Sequence, residues 1–345
     1  MGFRINYKCN TFVKSLCMRR KVVGIAMGGY SSEREISLSS GSTVIESLSP
    51  SKWNCFKIIV DQEKWLVVDL ENNTYPLKLE DFSFKLRETI VHFDVVFNAI
   101  HGTPGEDGKL AKLLSSLNIP QSSCDEKAAS LTFDKRACLK EVRKWGVPVA
   151  NSFTYDQGDS LEIDDIIKKV GLPCFVKPNR SGSSYGIVKV YEKEDLEAAI
   201  VSALKEDSEL IIESALLGTE ISVGAFANDH DIVVLPITEI ISENDFFDYD
   251  AKYNGKSKEI TPARLDGNIV KKVDTLVRDL YKKLNLKGVC RSEFIIVAGV
   301  PHLLEINTVP GLTTASLIPQ QLHEAGIGLS DFFESLLEGA MKKNQ

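Results

Sequence analysis

Glu305 and Asn307 stand two residues apart in the stretch LLEIN, between the apolar Leu303, Leu304 and Ile306. That alternation predicts a strand with both polar side chains on one face. A carboxylate and an amide carried on a largely apolar strand are costly to bury unless a partner satisfies them. A hard divalent cation is such a partner, because magnesium takes oxygen ligands and keeps company with phosphates. Just beyond, Pro310-Gly311 turns the chain and exposes backbone N–H groups beside the ligands. The preceding apolar segment, residues 288–297, holds two charged residues, Arg291 and Glu293, again two apart. A three-residue loop of Ala298, Gly299 and Val300 sets Glu293 opposite Glu305 and Arg291 opposite Asn307. A two-residue loop would set Glu293 opposite Leu304 and scatter the group, so the odd loop is the expectation. Two carboxylates and an amide suit a pair of magnesium ions on nucleotide phosphates, and Arg291 suits an oxygen that gathers charge. The bland alternative is a surface hairpin with a solvated polar face.

A second candidate lies upstream. Lys177 closes the apolar segment 172–177 and is followed by the run SGSSYG. A lysine there suits a phosphate held under a glycine- and serine-rich flap, although the same run can be a plain hairpin turn. Other chemistries lack their motifs. The chain contains no G-x-x-x-x-G-K-[ST] loop, no dinucleotide G-x-G-x-x-G, no G-x-S-x-G elbow, no H-E-x-x-H and no kinase signature set.

These residues need a scaffold, and the composition allows one. The 345 residues are 43% hydrophobic and 26% charged, an ordinary globular balance with length for two or three domains. A net charge of −7 without a long basic run argues against non-specific nucleic-acid binding, so an anionic ligand needs locally placed Lys or Arg. Seven scattered cysteines without a C-x-x-C pair fit reduced thiols in a cytoplasmic protein. No apolar stretch approaches the roughly 18 residues that cross a bilayer. Residues 1–20 are basic but interrupted by Asn6, Lys8, Asn10 and Lys14. They read as a disordered extension, or as chain upstream of a true start at Met18, rather than as a targeting signal.

Along the chain, residues 21–27 read as a buried parallel strand. Gly28-Gly29 and a Ser32-x-x-Glu35 capping box then open a helix through Leu48. Further strands are expected at 56–60, 65–70 and 94–100, the last running into the loop HGTPGEDG at a strand's carboxyl end, where α/β sheets bind ligands. A doubly wound α/β domain over 21–120 follows. Beyond it come helices at 133–145 and 161–170, with strands at 172–177, 187–191, 210–213, 220–227 and 232–240. This gives α+β subdomains over 121–208 and 209–345. Residues 242–264 are polar and aromatic without apolar periodicity, which suits a lid.

Five stretches in collinear order, GGYSSEREISLSSG, HGTPGEDG, FVKPNRSGSSYGI, DYDAKY and LLEINTVPGLTTASLIP, resemble the D-alanine–D-alanine ligases of the ATP-grasp superfamily, from about residue 21 to 337. The resemblance implies an ATP-grasp fold and the joining of two D-alanines with ATP converted to ADP, for peptidoglycan precursors. It implies that Lys135 and Lys177 contact ATP phosphates, that Glu213 and the backbone of Leu216 read the adenine, and that Glu220 holds the ribose. Glu293, Glu305 and Asn307 match ligands of two Mg2+ (or Mn2+) ions. Glu33 matches the carboxylate for the first D-alanine's ammonium, with His101 in the same pocket. Arg291 and the N–H of Gly311 match the oxyanion site. Ser183 and Tyr253 resemble the pair that, with Glu33, positions the second D-alanine, and Lys252, Ser316 and Leu317 its carboxylate clamp. A homodimer is also implied. Three positions depart from the family pattern: Glu293 stands where aspartate is usual, Ser181 where several relatives carry an acid, and Ser214 where they carry a lysine. Two other readings stay open: a sister ligase taking D-lactate or D-serine second, of which Tyr253 disfavours the D-lactate form because it suits an amine nucleophile, and an ATP-binding regulator without catalysis.

Overall fold

A computed structural model describes residues 20–228, 231–242 and 257–342. The first sheet is built on β1 (Lys21–Gly28), whose residues after Lys21 are all buried. It pairs in parallel with β2 (Trp53–Val60) and β7 (Val95–Asn98). The remaining strands of that sheet, β3 (Trp65–Val68) and β4 (Thr74–Pro76), are antiparallel additions beside β2, so the sheet is mixed. A two-stranded hairpin, β5 (Ser83–Leu86) with β6 (Thr89–His92), lies apart. Period-two alternation in β1 splits its side chains between two cores. Val23, Ile25 and Met27 join helix α1 (Arg34–Ser47), while Val22 and Ala26 join helix α2 (Lys109–Ser116).

The predicted capping box does not form. Glu33 itself occupies the N-cap position of α1 without capping it through its side chain. Ser31 Oγ accepts from Glu33 N–H at 3.3 Å and donates to His101 O at 2.9 Å. The helix entrance is thereby tied to the loop after β7, and the Glu33 carboxylate is left for other work.

The helix expected over 133–145 forms as α4 (Lys135–Arg143), and a helix that was not expected, α3 (Glu126–Phe133), precedes it. Asp134 between them is extended, and its carboxylate accepts from Ala137 N–H at 2.8 Å. Such a side-chain cap starts a new helix rather than continuing the old one. It places Lys135 in the first turn of α4.

A four-stranded antiparallel sheet follows in the order β10-β9-β11-β8, from β8 (Ser152–Asp156), β9 (Cys174–Pro178), β10 (Val188–Val190) and β11 (Glu209–Ser214). Helices α5 (Ile163–Val170) and α6 (Leu196–Ala203) share its core. The last sheet combines β12 (Thr219–Ala227), β13 (Ile232–Val234), β14 (Thr238–Ser242), β15 (Ser257–Ile260), β16 (Val289–Val297) and β17 (Val300–Asn307). The strand expected over 232–240 is broken by 235–237, because Pro236 has no N–H to give a ladder. Residues 257–260, expected within a lid, pair as a strand with β14. Helices α7 (Gly267–Lys283), α8 (Leu317–Glu324) and α9 (Leu329–Lys342) complete the described chain. Helices α3, α4 and α7 pack on the last sheet, and α9 packs on the first. Among the described residues no helix is long and apolar enough to cross a membrane.

The hairpin of β16 and β17 corrects the expected loop while keeping the expected pairs. The turn is the two-residue Ala298-Gly299, since Val297 pairs with Val300. Both turn residues have positive φ, 48° and 76°, as a type I′ turn requires. The register then shifts between Phe294, opposite Leu303, and Glu293, opposite Glu305. Leu304 is the extra residue of a β-bulge. Glu293 therefore faces Glu305 and Arg291 faces Asn307, with the needed residue supplied by a bulge in the ladder instead of by the loop.

Candidate active site

Two cavities meet between the sheets. The larger, about 590 Å³, lies between the four-stranded sheet and the last sheet. Lys177 of β9, Glu213 of β11, Leu216, Glu220 of β12, Glu293 of β16 and Lys135 of α4 all line it. The smaller, about 150 Å³, is walled by Glu33, His101, Ser183, Arg291, Asn307, Gly311, Ser316 and Leu317. Glu305 and Gly182 border both, so a group passed between the cavities crosses at Glu305.

The cations of the larger cavity are held by carboxylates. Lys177 Nζ lies 2.8 Å from Glu213 Oε2, and Glu213 is buried. Burial alone would lower the Lys177 pKa; the charge and hydrogen bond of Glu213 outweigh it, with Glu305 and Glu220 adding, and the result is raised. The lysine stays cationic. Lys135 Nζ donates to Ser181 O at 2.7 Å and lies 3.2 Å from Glu305 Oε2. It therefore ties the last sheet to the loop between β9 and β10. That loop is folded tightly, with Ser183 and Ser184 at φ 47° and 61°. A Cβ on Gly182 would lie 2.3 Å from Glu33 Oε2, so a larger residue there would have to push the Glu33 carboxylate aside. Ser183 Oγ donates to Glu33 Oε1 at 2.5 Å, which closes the flap onto the entrance of α1.

At the metal candidates, Arg291 Nη2 lies 2.6 Å from Glu293 Oε1, and Glu293 is buried. The buried amide nitrogen of Asn307 has no hydrogen-bond partner among the described residues. The donor set is two carboxylates and an amide on paired strands. It fits a hard oxygen-loving cation that completes its shell with phosphate oxygens and water. Among the described residues no three His, Cys, Asp or Glu side chains converge as a metal cluster, so protein ligands alone do not make a cage.

In the smaller cavity, His101 Nδ1 bonds Val309 O at 2.7 Å and its Nε2 meets Ser40 Oγ at 3.2 Å. A carbonyl only accepts, so the proton sits on Nδ1. Burial lowers the His101 pKa, the Glu33 charge and the Val309 bond oppose this, and Arg291 adds to the lowering. The ring is neutral, and both nitrogens are engaged by the protein. Ser316 precedes α8, and its Oγ lies 2.8 Å from Thr313 Oγ1. Leu317 is the first residue of α8. The two remaining candidates, Lys252 and Tyr253, lie outside the described residues.

Three site residues escaped the sequence reading. Glu106, within HGTPGEDG, is buried and accepts from Gly102 N–H at 2.8 Å. Ser40 is fully buried on α1 and bonds Leu312 N–H at 3.2 Å. Glu259 on β15 also lines the smaller cavity, receives Gln320 Nε2 at 2.7 Å, and has its pKa raised by burial. The only signal for the first two was their place in motifs whose other members had been given roles.

A family model described as D-ala D-ala ligase N-terminus matches residues 22–124, and one described as D-ala D-ala ligase C-terminus matches residues 142–338. The chain is 51% identical over 318 residues to a D-alanine–D-alanine ligase of Flavobacterium johnsoniae, covering 92% of this chain and 98% of that protein. Among solved structures, the VanG D-Ala:D-Ser ligase from Enterococcus faecalis superposes with a TM-score of 0.82 at 29% identity, covering 94% of this chain and all of that one. The D-alanine–D-alanine ligase from Bacillus anthracis complexed with ATP superposes with a TM-score of 0.76 at 28% identity, covering 94% and 98%. With two adjoining cavities, an ATP-grasp architecture and matches along nearly the whole described chain, this protein belongs to the D-alanine–D-alanine ligase family.

Proposed function

We propose that this protein is an ADP-forming ligase that joins two D-alanines through a D-alanyl phosphate, supplying the dipeptide for peptidoglycan precursors in the cytoplasm. The observation that carries the reading is the common wall of the two cavities. One side presents the lysines Lys135 and Lys177, the other a buried carboxylate, an arginine and a glycine turn, and Glu305 stands between.

ATP occupies the larger cavity, with its adenine by Glu213 and Leu216, its ribose at Glu220 and its phosphates at Lys135 and Lys177. Glu293, Glu305 and Asn307 would hold two magnesium ions, which when bound neutralise and align phosphate oxygens. The first D-alanine keeps its ammonium at Glu33. One of its carboxylate oxygens attacks the γ-phosphorus, the bond to the bridging oxygen breaks, and ADP leaves. Phosphoryl transfer of this kind needs positioning and charge neutralisation above all, which two lysines supply. The amine of the second D-alanine then attacks the acyl carbon. Its carboxylate is clamped by Lys252, Ser316 and the backbone of Leu317, and Ser183, Tyr253 and Glu33 orient the amine and take up its proton. Arg291 and Gly311 N–H stabilise the developing oxyanion until inorganic phosphate departs. Ser183 bound to Glu33 keeps the flap over the acyl phosphate and water out. The active assembly is a homodimer.

The test is ADP and dipeptide formation by the full chain with ATP, magnesium and D-alanine. One ADP per D-alanyl-D-alanine is expected. No D-alanine-dependent ADP would sink the reading, and faster turnover with D-lactate or D-serine as second substrate would replace it with that of a sister ligase.

A further inference from the structure

We propose that Ser40, acting through His101, and Glu106 are positioning residues for the ligation step, clamping the turn of residues 309–312 so that Gly311 keeps its place at the cavity wall. The inference rests on the role given above to Gly311, and it concerns residues to which that reading gives no part.

Three hydrogen bonds from the first domain grip the backbone on both sides of Gly311. Before it, Val309 O accepts from His101 Nδ1–H at 2.7 Å, and Val309 N–H donates to Glu106 Oε1 at 3.4 Å. After it, Leu312 N–H donates to Ser40 Oγ at 3.2 Å. The direction of every bond follows from the first. With Nδ1 protonated and the ring neutral, Nε2 has only a lone pair to offer, so Ser40 O–H donates to it across 3.2 Å. The hydroxyl then has its lone pairs for Leu312 N–H. A single serine thus holds the histidine ring at Nε2 and one end of the turn, and the histidine holds the other.

The clamp has its own support. Ser31 Oγ donates to His101 O, and Gly102 N–H donates to Glu106 Oε2, so the residues that grip the turn are themselves gripped. Ser40, His101, Glu106, Val309 and Leu312 are all buried, where water offers no replacement bond. On its other side the turn runs close to Ser316, whose Oγ would lie 2.8 Å from a Cβ placed on Gly311. A donor to a developing oxyanion acts only in the transition state. An error of about 1 Å in its position costs rate on the order of 10²-fold without costing substrate binding.

Ser40→Ala in the full chain is the test, with two readouts. The first is kinetic: kcat for D-alanine-dependent ADP release is expected to fall about 10²-fold, with KM for ATP and for D-alanine changed less than about threefold. The second needs no turnover: amide hydrogen exchange of segment 309–312 is expected to quicken at least about tenfold, while the core of the first sheet keeps its protection. Unchanged kcat, or KM values rising in step with the loss, would overturn the proposal, as would unchanged exchange at 309–312. Should Ser40→Ala fail to fold, Glu106→Ala carries the same expectations, because it removes the acceptor from Val309 N–H. A wild-type chain that makes no dipeptide yet shows the exchange change would count against the proposed reaction and leave the clamp standing.

Discussion

At Glu106, burial and then the charge of Glu33 push the carboxyl up from an ordinary 4.5 to about 8; Gly102 and Val309 N–H oppose this and Glu305 adds to it. A raised carboxyl pKa means that the folded chain holds the proton more tightly than the unfolded one. Its contribution to stability is therefore complete below 4.5 and is lost as pH climbs through the folded value near 8. Wild type is expected to lose stability relative to Glu106→Gln across that window, by up to about 1.4 kcal/mol for each pH unit. Urea unfolding of both chains at pH 5, 6, 7 and 8 (about the window of this linkage) measures the difference, and parallel curves would show that Glu106 is not the group responsible. Its place in HGTPGEDG is the one local mark on this residue, and it says nothing of the proton. Its proton affinity is set by Glu33, on the entrance of α1, and by Val309, 203 positions further on, and contacts at such separation leave no trace in spacing. Glu293, Glu305, Asn307 and Arg291 were legible because period-two alternation writes a strand's face directly into the chain.

The hairpin of β16 and β17 separates what pattern reading can and cannot supply at the level of an element. Facing residues were legible from the need to gather polar groups, and the way the chain gathers them was not. Loop length and a bulge shift register by the same single residue, so a three-residue turn without a bulge and a two-residue turn with one give identical pairs beyond Glu293. The difference is felt at Leu304, which joins Glu305 in lining the larger cavity instead of alternating away from it. Because the turn needs left-handed backbone at both positions, Ala298 is the poor choice there and Gly299 the good one. Ala298→Asn is expected to stabilise the chain by about 0.5–1 kcal/mol, since asparagine tolerates that conformation and Asn-Gly is the favoured pair. A rise in the urea midpoint at unchanged activity is the sign to look for; a fall would mean that the exposed turn is not strained. The break at Asp134 teaches the same lesson, because aspartate inside a charged helical run reads as surface until its carboxylate is seen to cap α4.

Across the molecule, the cores are shared unevenly. Val23, Ile25, Met27 and Phe97 of the first sheet form one cluster with Phe226 and Val289 of the last sheet and Phe332, Phe333 and Leu337 of α9. The four-stranded sheet keeps a core of its own with α5 and α6. The smaller cavity therefore stands on a floor common to the first and last sheets, and the larger cavity has one wall that belongs to a separate unit. In hydrogen exchange, β1, β7, β12 and β16 are expected to open together at the highest free energy, and β8–β11 independently at a lower one. ATP should protect β9 and β11 most. Uniform protection across all three sheets would mean that the four-stranded unit is not independent. The general plan, an α/β start followed by antiparallel strands, was legible from glycine turns and apolar runs. The sharing of the core was not, because it depends on α9 returning to the first sheet.

That return has a consequence during synthesis. Phe333 meets Phe97 edge to face at 5.6 Å, and Phe332 meets Phe226 at 5.0 Å. A ribosome delivers the first sheet long before the helix that covers it. For most of translation the N-terminal third carries an open apolar face, the kind of surface that chaperones recognise and that aggregates when left alone. A helix made long after the first strands is the one that lets them finish folding.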